Sequence, residues 1–231
     1  HVLSFLRRPA GAAGGRRLKV VVDASNGMAV VERAIWDALG VDLVPLYFEL
    51  DGTFPNHEAN PIEPANLRDL QAAVIERGAD IGLAFDGDAD RCLAVDAAGV
   101  EVDGDQIMGI LAVDMKERGK LAHDTLVATV MSNLGLLQAM EREGIRVLQT
   151  GVGDRYVLEA MAEGGLSLGG EQSGHVVFAD LATTGDGLLT AIQLLDIVSR
   201  SDRPLADLAD SAMTRLPQVL QNVSVATKGL D

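Results

Sequence analysis

The chain has 231 residues, 48% of them hydrophobic and only 3% aromatic, so it can bury a sizeable core made of Ala, Val, Leu and Ile rather than rings. Its formal net charge of −15 argues against a nucleic-acid or anionic-membrane surface and leaves phosphate binding to local Arg, Lys, backbone N–H groups or a metal. The single cysteine, Cys92, excludes an internal disulfide framework and fits a reducing, cytoplasmic compartment.

No apolar run approaches the roughly 18 residues of a membrane span. Residues 1–17 lack a signal-peptide pattern and an initiator Met, so the chain is expected to be a piece of a longer one. Residues 9–15 read as a loop. "LKVVVDAS" (18–25) is a buried strand by its β-branched run. "NGMAV" opens a helix that Gly40 stops. "VDLVPLYF" (41–48) is a strand in which Pro45 marks an edge or a bulge.

Residues 51–64, "DGTFPNHEANPIEP", form a long polar loop, and loops of that length in a compact domain are often functional. His57 in this loop is read as solvated or touching substrate. A helix follows over 66–78, then the strand "ADIGLAF" (79–85) and a hairpin over 91–103 with its turn at Ala98-Gly99.

The alternation then restarts. Helices are expected at 105–119, 133–144, 154–165 and 186–200, strands at 125–131 and 145–152, and a strand–turn–strand at 167–178. A further strand begins at 216. The pattern predicts an α/β protein of two consecutive domains, each a mostly parallel mixed sheet flanked by helices. Residues 1–17 would be a linker, 18–102 one domain, 103–215 a second, and 216–231 the start of another domain.

The stretch "LAFDGDADR" places Asp86, Asp88 and Asp90 at alternate positions just past a strand end, followed by Arg91. Carboxylates this close raise one another's pKa unless a cation shares them. Hard oxygen ligands in a tight loop suit Mg²⁺ or Ca²⁺, and Arg91 is placed for a phosphate oxygen. A calcium EF-hand loop would need Gly and Glu where Arg91 and Ala97 stand. A haloacid-dehalogenase-type phosphatase, with Asp86 as nucleophile, would need Thr or Val where Asp90 stands. A solvated Asp-Gly turn is the plainest alternative.

"GGEQSGH" (169–175) sets Glu171, Ser173 and His175 at alternate positions between glycines, which puts them on one side of an extended loop. A carboxylate, a hydroxyl and an imidazole suit sugar hydroxyls and proton transfer. An ordinary hairpin turn would look the same by spacing. Arg155 in "VGDRYV" could meet a phosphate, or Asp154 could simply cap a helix. "TTGDG" (183–187) is a ligand loop or a helix cap, and "SNGM" (25–28) is an anion-binding turn or only a turn. Cys92 reads as core.

"FDGDADR" (85–91) and "GEQSGH" (170–175) together resemble the α-D-phosphohexomutase superfamily, over nearly the whole chain. The resemblance implies the second and third of four domains. It implies Asp86, Asp88 and Asp90 as Mg²⁺ ligands, Arg91 near the phosphate, Glu171 and Ser173 on sugar hydroxyls, and His175 near the reacting groups. The implied reaction moves a phosphoryl group between sugar O1 and O6 through a phosphoserine and a bisphosphate. Its partners would be hexose phosphates, hexose bisphosphates and the remaining domains. No segment resembles the family's Thr-Ala-Ser-His-Asn-Pro serine loop or its fourth-domain phosphate loop, so the chain alone is expected not to turn over. Residues 46–67 are similar to phosphomannomutases and phosphoglucomutases. Residues 102–112, 125–136 and 152–159 are similar to phosphoglucosamine mutases. This fits an unusual member or a chimera of paralogues, and favours glucosamine phosphate as the sugar. The rival readings are a metal-dependent phosphatase and a sugar-phosphate binding module without chemistry.

Overall fold

The computed structural model describes residues 17–201 and 203–221. The expected loop at 9–15, the N-terminal linker up to residue 16 and the stretch from 222 onward lie outside them.

Two sheets form. The first has five strands: β1 (Lys19–Asp23), β2 (Asp42–Leu46), β3 (Ile81–Phe85), β4 (Cys92–Asp96) and β5 (Glu101–Val102), in the order β2-β1-β3-β4-β5. β1 pairs in parallel with β2 and β3, while β3–β4 and β4–β5 are antiparallel. β2 is an edge strand, the position that Pro45, which lacks an N–H, tolerates. β3 is buried along its whole length, as its continuous apolar run requires.

A 3₁₀ turn (Met28–Glu32) leads into α1 (Arg33–Leu39), which ends at Gly40 with φ +70°. α2 (Arg68–Arg77) covers the other face with Leu70 and Val74. A Cβ on Gly82 of β3 would stand 2.7 Å from Val74, so only glycine lets α2 approach this closely.

The second sheet has β6 (Thr125–Thr129), β7 (Arg146–Thr150), β8 (Leu168–Gly170) and β9 (Val176–Phe178) in the order β7-β6-β8-β9. β6 is parallel to β7 and β8, and β8–β9 is antiparallel. Its helices are α3 (Gly104–Glu117), α4 (Leu134–Arg142), α5 (Asp154–Gly164) and α6 (Gly187–Ser201). α3 starts on a capping box: Asp103 Oδ1 accepts from Gln106 N at 3.0 Å, and Gln106 Oε1 accepts from Asp103 N at 3.4 Å. α3 packs on both β4 and β8, and α6 also packs on β4. One continuous apolar core therefore joins the two halves.

Two segments depart from the sequence expectation. α7 (Leu205–Ala212) follows Pro204 and buries Leu205, Leu208, Ala209 and Ala212, an amphipathic spacing in only eight residues. Residues 216–221 form no strand. Leu216 lies beside Asn133, whose Nδ2 donates to Leu216 O at 2.8 Å and whose Oδ1 accepts from Leu216 N at 3.0 Å. A side chain has taken the place of a neighbouring strand.

Candidate functional site

Both motifs follow the carboxyl ends of central strands, where open α/β sheets bind ligands. Asp86 comes directly after β3 and is 1% exposed. The chain then turns tightly, with Ala89 at φ +63°, and brings oxygens of Asp86, Asp88 and Asp90 within 4.8 Å of one another. Asp88 is exposed and Asp90 half-buried. Burial pushes the Asp86 carboxyl up, against the pull of Arg91. Arg91 grips that carboxylate twice: its backbone N donates to Oδ1 at 3.1 Å and its Nε to Oδ2 at 2.5 Å. With both oxygens engaged and the group buried, Asp86 is poorly placed to attack phosphorus, which speaks against the phosphatase reading.

Glu171 follows β8. Its Oε1 accepts from Gly153 N at 3.0 Å, and the turn closes with Gly174 N donating to Glu171 O at 3.0 Å. Gly174 has φ +92° and its O accepts from Cys92 N at 3.1 Å. An isolated antiparallel bridge pairs Arg91 with His175. His175 is buried, and its Nε2 lies 3.5 Å from Asp90 Oδ2. Among the described residues neither ring nitrogen of His175 has a hydrogen-bond partner. Gly185 lies against this ring, since a Cβ there would be 2.2 Å from Nε2. Asp86, Asp88, Asp90, Arg91, Glu171, Ser173 and His175 are thus brought together. All but the buried Asp86 line an open cleft of about 300 Å³, together with Gly153 and Asp154.

Arg155 does not line this cleft. Its side chain is 81% exposed, with Nε 2.7 Å from Glu159. Asp154 is not the helix cap, because Gly153 holds that position and Asp154 Oδ1 accepts from Arg155 N. The "TTGDG" loop does cap: Asp186 Oδ1 accepts from Leu189 N at 2.9 Å, and Gly187 N donates to Ala89 O at 3.0 Å. "SNGM" is a turn with its amides used internally; Met28 N donates to Gly87 O at 2.9 Å. Cys92 is buried and its thiol is pushed up by burial, as a core residue should be.

His57 is neither solvated nor in the cleft. Its Nε2 lies 3.0 Å from Asp23 Oδ2 and its Nδ1 2.9 Å from Glu58 O. The Asp23 bond raises it to about 9, against its own burial. Asp105 was not singled out by sequence. It is fully buried in the first turn of α3 and accepts from Asn133 N at 2.7 Å, and burial pushes it up to about 6. The only sequence signal was its place two residues after the cap Asp103.

Residues 5–99 match the profile of the phosphoglucomutase/phosphomannomutase alpha/beta/alpha domain II, and residues 103–216 match domain III of the same family. A phosphoglucosamine mutase of Saccharopolyspora erythraea is 58% identical over 212 residues, covering 91% of this chain and 47% of that protein. One of Symbiobacterium thermophilum is 54% identical over 212 residues, covering 91% and 46%. The chain spans about half the length of the curated relatives it matches. A crystal structure of a phosphoglucomutase/phosphomannomutase family protein from Burkholderia thailandensis superimposes with TM-score 0.82 at 33% identity, covering 95% of this chain and 45% of that one. The Aspergillus fumigatus N-acetylphosphoglucosamine mutase, solved with GlcNAc-6P and magnesium, gives TM-score 0.68 at 18% identity, covering 94% and 53%, a likeness of fold.

Proposed function

The chain belongs to the phosphoglucomutase/phosphomannomutase family, and from that premise we propose that it is part of a hexose-phosphate mutase interconverting glucosamine 6-phosphate and glucosamine 1-phosphate through a phosphoserine and a bisphosphate. The observation that carries this reading is the single cleft in which the acidic loop and the Glu171–His175 loop meet. Relatives named phosphoglucosamine mutase at 54–58% identity support the amino sugar. Residues 18–102 would hold the cation and 103–215 the sugar, with segments beyond these completing the site. A cytoplasmic location, hexose phosphates and bisphosphates as ligands, and the rest of a longer enzyme as partner belong to the same reading. Among the described residues no helix is long and apolar enough to cross a membrane.

The donor set fits a hard divalent cation: three carboxylates, one of them buried, converge without enough basic groups to neutralise them. Asp86, Asp88 and Asp90 would hold Mg²⁺. When bound, it supplies positive charge against a phosphoryl group in transfer. Arg91 carries a fixed guanidinium at the cleft wall and orients phosphate oxygens. Glu171 and Ser173 offer an acceptor and a hydroxyl to sugar hydroxyls. His175, buried with unpaired ring nitrogens, can hold or pass a proton at Nε2. Arg155 can swing from Glu159 to a phosphate, because an ion pair this exposed to water holds it only weakly.

Calorimetric titration of the chain with glucosamine, glucose and mannose 6-phosphates, each with Mg²⁺, tests the reading. Preference for the glucosamine ester, lost in Glu171→Ala, is expected. No binding of any of the three would overturn it. Isomerisation by this chain alone at an ordinary enzymatic rate would overturn the role given to segments beyond it.

A further inference from the structure

The long loop after β2 is fixed at one end to β1 and at the other to the acidic loop. Tyr47 has φ +55° and its hydroxyl donates to Asp69 at 2.6 Å. Asn56 Nδ2 donates to Asn26 Oδ1 at 2.8 Å, and Asn26 Nδ2 to Glu49 O at 2.8 Å. His57 bridges to Asp23, which is 1% exposed and also accepts from Ser25 N at 2.8 Å. A buried carboxylate facing a cation in this way is a firm anchor, because breaking the pair strands a charge.

The other side of the loop meets the acidic motif. A Cβ on Gly87 would lie 3.4 Å from the Phe54 ring and 3.6 Å from the Ala59 methyl. A Cβ on Gly27, behind it, would lie 2.6 Å from Gly87 O. The acidic loop is therefore held between the β1 turn and residues 54–60. Asn60 completes the hold. Its backbone O accepts from Asn66 Nδ2 at 2.9 Å, and its Oδ1 takes Arg91 Nη1 at 3.5 Å while Arg91 Nε is on Asp86. Of the seven non-glycine residues with positive φ among the described residues, five fall in this assembly: Ser25, Asn26, Tyr47, Phe54 and Ala89. Backbone strain persists only where the surroundings over-determine it, and it gathers at functional sites.

We infer that Asn60 is a positioning residue: on a loop that His57 pins to Asp23, its side-chain oxygen holds the Arg91 guanidinium against Asp86, so that the remaining donors of Arg91 face the cleft. That these donors then meet a sugar phosphate rests on the function proposed above. The holding itself does not.

The test is made on the 231-residue chain. The Arg91 Nε–Hε resonance, assigned by its loss in Arg91→Lys, reports side-chain order through its ¹⁵N heteronuclear NOE. In Asn60→Ala the melting temperature stays put while Arg91 loses order, and affinity for glucosamine 6-phosphate with Mg²⁺ falls roughly threefold to tenfold. Asn60→Asp, which keeps the acceptor, restores the order. His57→Gln loosens Arg91 as well and lowers the melting temperature. Unchanged Arg91 order in both Asn60→Ala and His57→Gln overturns the inference. If the wild-type chain binds no sugar phosphate, the proposed function fails, but the resonance still decides this one. Should His57→Gln fail to fold, Asn60→Ala and its rescue decide alone.

Discussion

Arg91 and His175 face each other across one antiparallel β-bridge, and the next hydrogen bond, from Cys92 N to Gly174 O at 3.1 Å, ties the two cleft motifs together. The sheet that carries the acidic loop and the sheet that carries the Glu171–His175 loop thus share main-chain pairing at the cleft. Gly104 N donating to Gln172 O at 3.1 Å adds a second tie, from the start of α3.

Gly174→Ala should break this junction. Its φ of +92° is costly for alanine, and the new Cβ would lie 2.6 Å from Cys92 O. The expected loss is roughly 2–4 kcal/mol of stability, read from urea unfolding, together with loss of sugar-phosphate binding. An unchanged unfolding midpoint would show that the bridge is not a structural constraint.

Asp88→Asn separates metal affinity from folding. Asp88 is exposed at the tip of the acidic loop, so stability should move by less than about 0.5 kcal/mol. Removing one of three converging carboxylates should weaken Mg²⁺ at least about tenfold in calorimetry with inorganic phosphate present. Mg²⁺ without phosphate should bind weakly even to the wild type, since the cation prefers to share its shell with a phosphate ligand. Tight Mg²⁺ binding by the Asp88→Asn chain would remove Asp88 from the site.

The parts of this site that were legible in sequence are those set by local rules. A short apolar run ending in alternating Asp places the acidic loop at a strand end, and alternation between glycines places Glu171, Ser173 and His175 on one side. The i,i+4 spacing of Arg155 and Glu159 is also visible in the sequence. His57 was misread because its partner, Asp23, lies on a strand 34 positions away, and no local pattern announces such a pair. Asp105 escaped for the same reason: its burial comes from the packing of α3 against the β6–α4 turn. The run at 216–221 looks like a strand by composition, but it is the Asn133 side chain, and not a neighbouring strand, that bonds the Leu216 backbone.

The His57–Asp23 pair predicts how stability responds to alkali. The folded imidazole titrates at about 9, above its ordinary 6.5, so its contribution is complete below about pH 6.5 and is lost as the pH rises through 9. The ring is mostly buried, 11% exposed by side chain, so a loss on the order of 2 kcal/mol is expected. Melting temperatures between pH 6 and 10 should fall in the wild type and stay nearly level in His57→Gln. Parallel curves would assign the decline to other groups.

Asp105→Asn should do the reverse of most core polar substitutions. Burial is the main cause of its raised pKa, and the hydrogen bond from Asn133 N only partly offsets it. A folded carboxyl that titrates at about 6 instead of 3.8 binds its proton more tightly than the unfolded chain does. Its favourable contribution is therefore present below about pH 3.8 and is lost as the pH rises through 6, which leaves a buried charge as a net cost at pH 7. Asparagine keeps an oxygen for Asn133 N and turns its amide toward the side where Oδ1 has no hydrogen-bond partner among the described residues. Urea unfolding at pH 7 should show a gain of roughly 1–2 kcal/mol, and the slope of stability between pH 4 and 6 should flatten. Asp105→Ala makes the contrast: it orphans the Asn133 amide and should cost about 1–3 kcal/mol. Because Asn133 also holds Leu216, the alanine variant should free residues 216–221 to exchange amide hydrogens faster. If Asp105→Asn is less stable than the wild type at pH 7, the carboxylate is compensated by a cation or a donor that its present neighbours do not supply.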